Sequence, residues 1–166
     1  MGYTHNTNMA KFIPANACAF SAGTWTPSVA SNVPVLTRAA ADVDNTIIIP
    51  LSVPSNGAYR AGSKIASVDI YYTNATADMT AVTIKAHKVT LTADAAAVTG
   101  AEITAITIDH VAADRITQAS HTINVKFDVP PWIDDAEAYY LSVLLDTGAA
   151  AVFTFKGARI NYTERR

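Results

Sequence analysis

The sequence predicts an all-β protein: an antiparallel two-sheet β-sandwich, jelly-roll-like, with an extended N-terminal arm. Three observations carry this. The apolar set holds 14 Val and 14 Ile against 6 Leu, with 20 Thr beside them, and β-branched residues pack well on a pleated sheet. From Asn45 onward, apolar residues alternate with polar ones, the period of a half-buried strand. The connections hold turn residues and no helical pattern, which fits a sandwich rather than βαβ units. The 31 Ala fall largely in short clusters such as "RAAADVD" and "TGAAAV", too poorly patterned for amphipathic helices despite the helix propensity of alanine.

In chain order, residues 1–43 lack sustained alternation and carry Pro14, Pro27 and Pro34, so they read as the arm, with short strands around "GTWTPSV" and "VPVLTR". Residues 44–166 read as the sandwich domain. In "NTIIIPLSV" the residues Ile47, Ile49, Leu51 and Val53 share a face, and Pro50 opposite them argues for an edge strand or bulge. "KIASVDIYYT" sets Val68, Ile70 and Tyr72 inward, "TNATADMT" is a polar link, and "AVTIKAHKVTL" resumes with Val82, Ile84 and Ala86, a hairpin-like unit. After His87 and Lys88 the phase slips to Val89 and Leu91, the mark of a bulge or strand end. "EITAITID" reads as one short strand. "HTINVKFDV" turns Ile123, Val125, Phe127 and Val129 inward until "PPW" stops it. "AYYLSVLLD" buries Tyr139, Leu141, Val143 and Leu145, and its other face, Tyr140, Ser142 and Leu144, is apolar enough to predict a central strand covered on both sides. "VFTFKGARINYT" turns Phe153 and Phe155 inward, allows a bulge at Gly157, and resumes at Ile160 and Tyr162.

At 166 residues with a net charge of −2 and 16% charged residues, the chain fits one domain, and a large basic face for nucleic acid is not expected. A charged fraction below the usual quarter favours a surface partly covered by neighbouring subunits. The single Cys18 excludes an internal disulfide. The opening residues show no basic region followed by an apolar stretch, so no signal peptide is expected. No apolar run is long enough for a membrane-spanning helix, so no membrane insertion is expected either.

No catalytic motif is present, and a non-enzymatic role is expected. The histidines His5, His87, His110 and His121 form no metal-ligand spacing. Asp109, His110, Asp114, Ser120 and His121 lack the strained turn that a nucleophile needs and read as loop residues. Asp134, Asp135 and Glu137, with Asp42 and Asp44 from another loop, are weak candidates for a structural Ca²⁺, because hard oxygens from flexible loops suit that ion. Carboxylates are also ordinary at turns, and no cofactor is predicted. Trp132, Tyr71 and Tyr140 are candidate ligand contacts, with Trp25 beside them: exposed aromatics suit flat saccharide rings, although aromatics are also common strand formers. "NAT" at Asn74 and "NYT" at Asn161 match the glycosylation pattern, but with no signal peptide expected they are read as carrying no function.

The segments "GTWT", "KIASVDIYYTNATADMTAVTIKAHKVTL", "DRITQASHTINVKFDVPPWIDDAEAYYLSV" and "FKGARINYT" together resemble small β-sandwich proteins among the virion structural genes of tailed bacteriophages: head decoration proteins, head fibres and tail accessory proteins. The likeness runs from Gly23 to Thr163 in texture and strand order, and no site residue travels with it. It implies a virion protein, made in the host cytoplasm, that self-associates, often as a trimer, and docks on a major capsid or tail protein. On this reading residues 1–43 form the docking arm. The alternative is a carbohydrate- or cell-surface-binding module of the tail-tip type that meets a host surface glycan.

Overall fold

Alternating apolar positions become strands, and the strands pair as a long hairpin would if rolled up on itself. A computed structural model describes residues 5–57, 60–93 and 98–165. Its strands are β1 (Asn6–Pro14), β2 (Ala19–Ser21), β3 (Trp25–Ala30), β4 (Val33–Arg38), β5 (Asn45–Pro50), β6 (Asn56–Gly57), β7 (Arg60–Ala61), β8 (Ser63–Ala75), β9 (Ala81–Thr90), β10 (Thr99–Ile103), β11 (Ile106–Ile108), β12 (Ser120–Phe127), β13 (Glu137–Asp146) and β14 (Val152–Arg165). Among the described residues, helix is confined to a 3-10 turn at Ala15–Ala17 and one turn at Ala112–Arg115. Take β4, β5, β8, β9, β10, β12, β13 and β14 as a series of eight. The first pairs with the last, the second with the seventh, the third with the sixth and the fourth with the fifth, all antiparallel. That is the jelly-roll pairing, laid out as two sheets, β11-β12-β8-β14-β4-β3 and β10-β9-β13-β5-β2.

The core between the sheets follows the period-2 residues. Ile47, Ile49, Val68, Ile70, Tyr72, Ile84, Ala86, Ile123, Val125, Phe127, Leu141, Val143, Phe153, Phe155 and Ile160 are all buried. Two bulges keep the phase. One lies at Gly157, as the sequence predicts, and the other shifts β8 against β14 beside Ala66, so that Ile65 and Val68 both turn inward. Ser31 and Asn32, at φ of 51° and 64°, close the β3–β4 hairpin with the positive dihedrals that such tight turns require.

The expected N-terminal arm is corrected. β1 pairs with β14 over nine residues, from Asn6–Arg165 to Pro14–Gly157, along the half of β14 that β4 leaves open. β2 borders β5, and β3 and β4 complete the larger sheet. A strand donating and accepting along its length satisfies backbone groups that a free arm would leave to water. Other local readings also shift, each for a long-range reason. β8 and β9 face each other across the core in different sheets and form no hairpin. "EITAITID" breaks at Thr104 and Ala105, so that β10 joins one sheet and β11 the other. Val129 lies past the end of β12 and is exposed. Pro50 sits inside the sheet order: the Leu51 N–H donates to Tyr139 O at 2.8 Å, so the Pro50 nitrogen points the other way, past the last residue that β2 pairs. The loop after β4 is held by buried Arg38, whose Nη2 donates to Val43 O at 3.0 Å, and by the Thr147 hydroxyl on Ala41 O at 2.9 Å.

On the outer face of the larger sheet, Asp69 is nearly buried and accepts from Asn124 Nδ2 at 2.6 Å, Asn161 Nδ2 at 3.0 Å, and Arg159 Nε and Nη2 at 3.0 and 2.8 Å. Burial alone would raise its carboxyl, but these hydrogen bonds and the Arg159 charge outweigh burial and hold it below the usual carboxylate range. A carboxyl depressed in the folded state stabilises above its unfolded pKa, and that stabilisation is lost as pH falls through the folded pKa. Thermal melts should therefore shift downward on acidification below the ordinary carboxylate range, and Asp69→Asn should flatten that dependence. An unchanged acid slope in the variant would contradict the assignment.

Candidate functional site

The outer face of the five-stranded sheet is where sequence and structure differ most usefully. β13 is central, between β9 and β5, as expected, but its outer face is not covered: Leu144 is 42% exposed, and Tyr140 and Ser142 are half-buried. Glu102, His87, Tyr140 and Pro50 form one row across four strands. β9 runs through His87 and Lys88 without a register shift, so the expected phase slip is absent. Val89 and Leu91 fall on the outward parity, and Lys88 takes the inward parity at the end of the sandwich. There it pairs with Glu137, which also accepts from the Tyr139 hydroxyl at 2.7 Å. Burial would raise the Glu137 carboxyl, but its hydrogen bonds with Lys88 and Tyr139 and the Lys88 charge bring it below its usual range.

His87 and Tyr140, directly opposite across β9 and β13, stack with centroids 4.6 Å apart and planes at 13°, and His87 Nε2 shares a 2.8 Å hydrogen bond with the Ser142 hydroxyl. Beside this pair lies a groove of about 440 Å³. Its apolar lining includes Ile48, Pro50, Val53 and Tyr140, and its polar lining Ser52, Ser55, Asp134 and Asp135. Asp135 Oδ1 accepts from the Ser55 hydroxyl at 2.5 Å. The chain reaches this point because β5 and β13 pair, which brings the segment after Pro50 against the segment before Glu137. Chemically, an apolar lining with carboxylate and hydroxyl groups can hold a molecule that has both an apolar face and hydroxyls.

The sequence candidates fall in separate places. Tyr140 lines the groove. Tyr71 lies on the other sheet, in a shallow apolar pocket of about 310 Å³ with Phe12 and Val33. Trp132 pairs with Lys64 at the start of β8, and its ring carries Lys64 Nζ at 5.0 Å and the Arg165 guanidinium at 5.1 Å, so cations occupy the surface expected to stack on a sugar. Trp25 is a packing residue against Phe20 and Phe153. Asp134, Asp135 and Glu137 do not converge: Asp134 accepts from the Ala136 N–H, Asp135 from Ser55, and Glu137 turns to Lys88. No group of metal-ligating side chains occurs among the described residues. Ser120 and His121 open β12 opposite Thr73 and Tyr72, with Ser120 bonded to Thr73 and His121 to Thr117 O, and Asp114 lies in the turn Ala112–Arg115. The loop reading therefore holds for Asp109 and His110, which bond each other, and is corrected for the other three. Asn74 is buried and donates to Ala77 O and Ile116 O, which leaves no room for a glycan. Cys18 is half-buried, and burial pushes its thiol up to about 12. Sequence reasoning missed Ser52 and Ser55 as site residues. Their only signal is a hydroxyl on a turn after a strand.

The pairing defines the class of the chain: an antiparallel two-sheet β-sandwich of jelly-roll order. No protein-family model and no curated protein matches it, so membership of the virion structural proteins finds no family behind it. Solved structures do match. One is a β-sandwich carbohydrate-binding module described for promiscuous specificity, at TM-score 0.41 and 10% identity, covering 93% of this chain and 55% of that one. This chain thus spans about half the length of that protein. Another is the family 11 carbohydrate-binding module of Clostridium thermocellum, at TM-score 0.37 and 8% identity, covering 95% and 87% of the two chains. A third is the enzymatically active domain of tailspike protein 4 of bacteriophage CBA120, at TM-score 0.34 and 7% identity, covering 97% and 19%. The two-sheet assignment rests on the strand pairing itself. No helix among the described residues is long and apolar enough to cross a membrane.

Proposed function

We propose that this chain is a non-catalytic saccharide-binding β-sandwich whose site is the groove beside Tyr140. One observation carries the reading: the groove joins an apolar lining of Ile48, Pro50 and Tyr140 to the carboxylates and hydroxyls of Asp134, Asp135, Ser52 and Ser55. Sugars present apolar C–H patches and rows of hydroxyls. A carboxylate offers about four acceptor positions, so Asp135 keeps capacity for a sugar hydroxyl beyond its bond to Ser55, and O–H···O⁻ bonds are the stronger class. Tyr140, braced by His87, is a rigid aromatic with a polar tip, the kind of residue that gives contact area at low entropic cost. A printed glycan array tests this. Tyr140→Ala should weaken the brightest wild-type signals from uncharged glycans at least about ten-fold, equivalent to 1.4 kcal/mol, while Leu144→Ser, outside the groove, should leave them unchanged. A dark array with wild-type protein, or one indifferent to Tyr140→Ala, would count against the site.

A second reading draws on the other sheet, where Phe12, 49% exposed, lines the apolar pocket with Tyr71 and Val33. Exposed apolar surface of this kind supports self-association and, with it, the virion reading: a subunit, trimeric by resemblance, that docks on a capsid or tail protein. Size-exclusion chromatography with light scattering should then give an oligomer that Phe12→Ser disperses. A monomer at high concentration would remove this reading.

A further inference from the structure

The outer face of the seven-stranded sheet carries a strip that the Tyr140 groove does not explain. Backbone pairing sets Trp132, Lys64, Thr163 and Asn8 in one row, from the segment after β12 through β8 and β14 to β1. Lys64 and Arg165 both approach the Trp132 ring, which is 40% exposed. Among the described residues neither cation forms an ion pair. Two like charges gathered on one exposed ring, with neither ion-paired to a carboxylate among the described residues, create a local positive potential that favours an anion. Within the same row begins a groove of about 440 Å³ between β1, β8 and β14, lined by the small residues Ala10 and Ala66 and by Asn8, Asn161 and Thr163. The Thr163 hydroxyl donates to Asn8 Oδ1 at 3.1 Å, and Asn161 Nδ2 is shared between Ser67 and Asp69, so the polar side chains of this groove are held in place. Carboxamides offer both donors and acceptors to a ligand rich in hydroxyls.

We propose that this strip binds an acidic saccharide, with a sugar ring over Ala10 and Ala66 among the side chains of Asn8, Asn161 and Thr163, and its carboxylate between Lys64 and Arg165 at the edge of Trp132. The two sheets then differ in sign. The Tyr140 groove, with Asp134 and Asp135, repels an anionic sugar, whereas the Trp132 strip attracts one. This site stands on its own geometry and does not require the reading given for Tyr140.

Isothermal titration of the full chain with trigalacturonate, and with cellotriose as the uncharged comparison, tests it. Wild-type protein should bind trigalacturonate, and added NaCl should weaken that binding as screening predicts. Lys64→Gln combined with Arg165→Gln should weaken it roughly ten-fold, the sum of two exposed charge contacts, and should remove most of the salt dependence. Trp132→Phe should keep most of the affinity and Trp132→Ala should lose it. Both charged positions lie at the surface, so circular dichroism and the melting temperature should not move in the double variant. The proposal is overturned if wild-type protein does not bind trigalacturonate, if the double variant binds it as wild type does, or if binding is lost on Tyr140→Ala and kept in the double variant. The last result would assign the acidic sugar to the other sheet.

Discussion

Phe155→Ala should destabilise the protein by about 3–5 kcal/mol, the range for truncating a buried aromatic. Phe155 has no exposed surface. It lies on β14 with Tyr72 opposite on β8 and Leu36 opposite on β4, and its ring meets Phe20 of the other sheet edge-on at 6.0 Å. The ring therefore bridges the two layers at the point where three strands of one sheet converge. Extended strands with partners on both sides have little freedom to close in, so the cavity should persist and the cost should fall toward the top of the range. Urea unfolding reads this as a lower midpoint with an unchanged m-value, and a chain of this size should lose roughly 6–20 °C of melting temperature. A midpoint within error of wild type would mean that the rolled-up pairing around β14 is wrong.

Gly157→Val should have the second-largest effect, through the backbone. Gly157 sits at φ of 118°, a region that L side chains rarely adopt, and enforcing it costs about 1–3 kcal/mol. A Cβ there would also lie 2.5 Å from Ile13 O and 2.9 Å from Phe12 Cζ. The substituent thus meets the end of β1 at its last pair, Pro14 with Gly157. Relief requires β1 to move away, so the loss should exceed about 2 kcal/mol, and hydrogen exchange should speed up along Asn6–Ile13 while β12 stays protected. Gly100 makes the contrast, because a methyl group at that position would find its nearest neighbours 4.0 Å away. Gly100→Ala should remain within about 0.5 kcal/mol of wild type.

Strand interiors were legible because burial writes itself into a period of two. Ile47 and Ile49, Ile123 to Phe127 and Leu141 to Leu145 all face the core as their alternation requires. Gly157 was legible as a bulge because the phase changes across it. Pairing was less so: which sheet β9 joins, or that β1 lies beside β14, depends on contacts between segments far apart in the chain, and no local window carries them. The break between β10 and β11 is short and contains no proline or glycine, so it reads as one strand. At the site, Tyr140 and Asp135 stood out by residue type, but their meeting with Ser52 and Ser55 depends on the β5–β13 pairing. The outer face of β13 read as covered because Tyr140 and Leu144 are large and apolar. Their exposure follows from the absence of any layer outside the five-stranded sheet among the described residues. Lys64 and Arg165 carried no signal, since a lone cation at the end of a strand is ordinary until register sets both at one ring.

The central claim is that the outer face of the five-stranded sheet binds saccharides beside Tyr140. Its most direct test is a titration of isotope-labelled protein, followed by NMR, with the uncharged oligosaccharide that gives the strongest array signal. Saturating shifts should cluster at Ile48, Ser52, Val53, Ser55, Asp135 and Tyr140 while Phe12, Tyr71 and Val33 stay still. Shifts confined to Phe12, Tyr71 and Val33, or none at saturation, would contradict it.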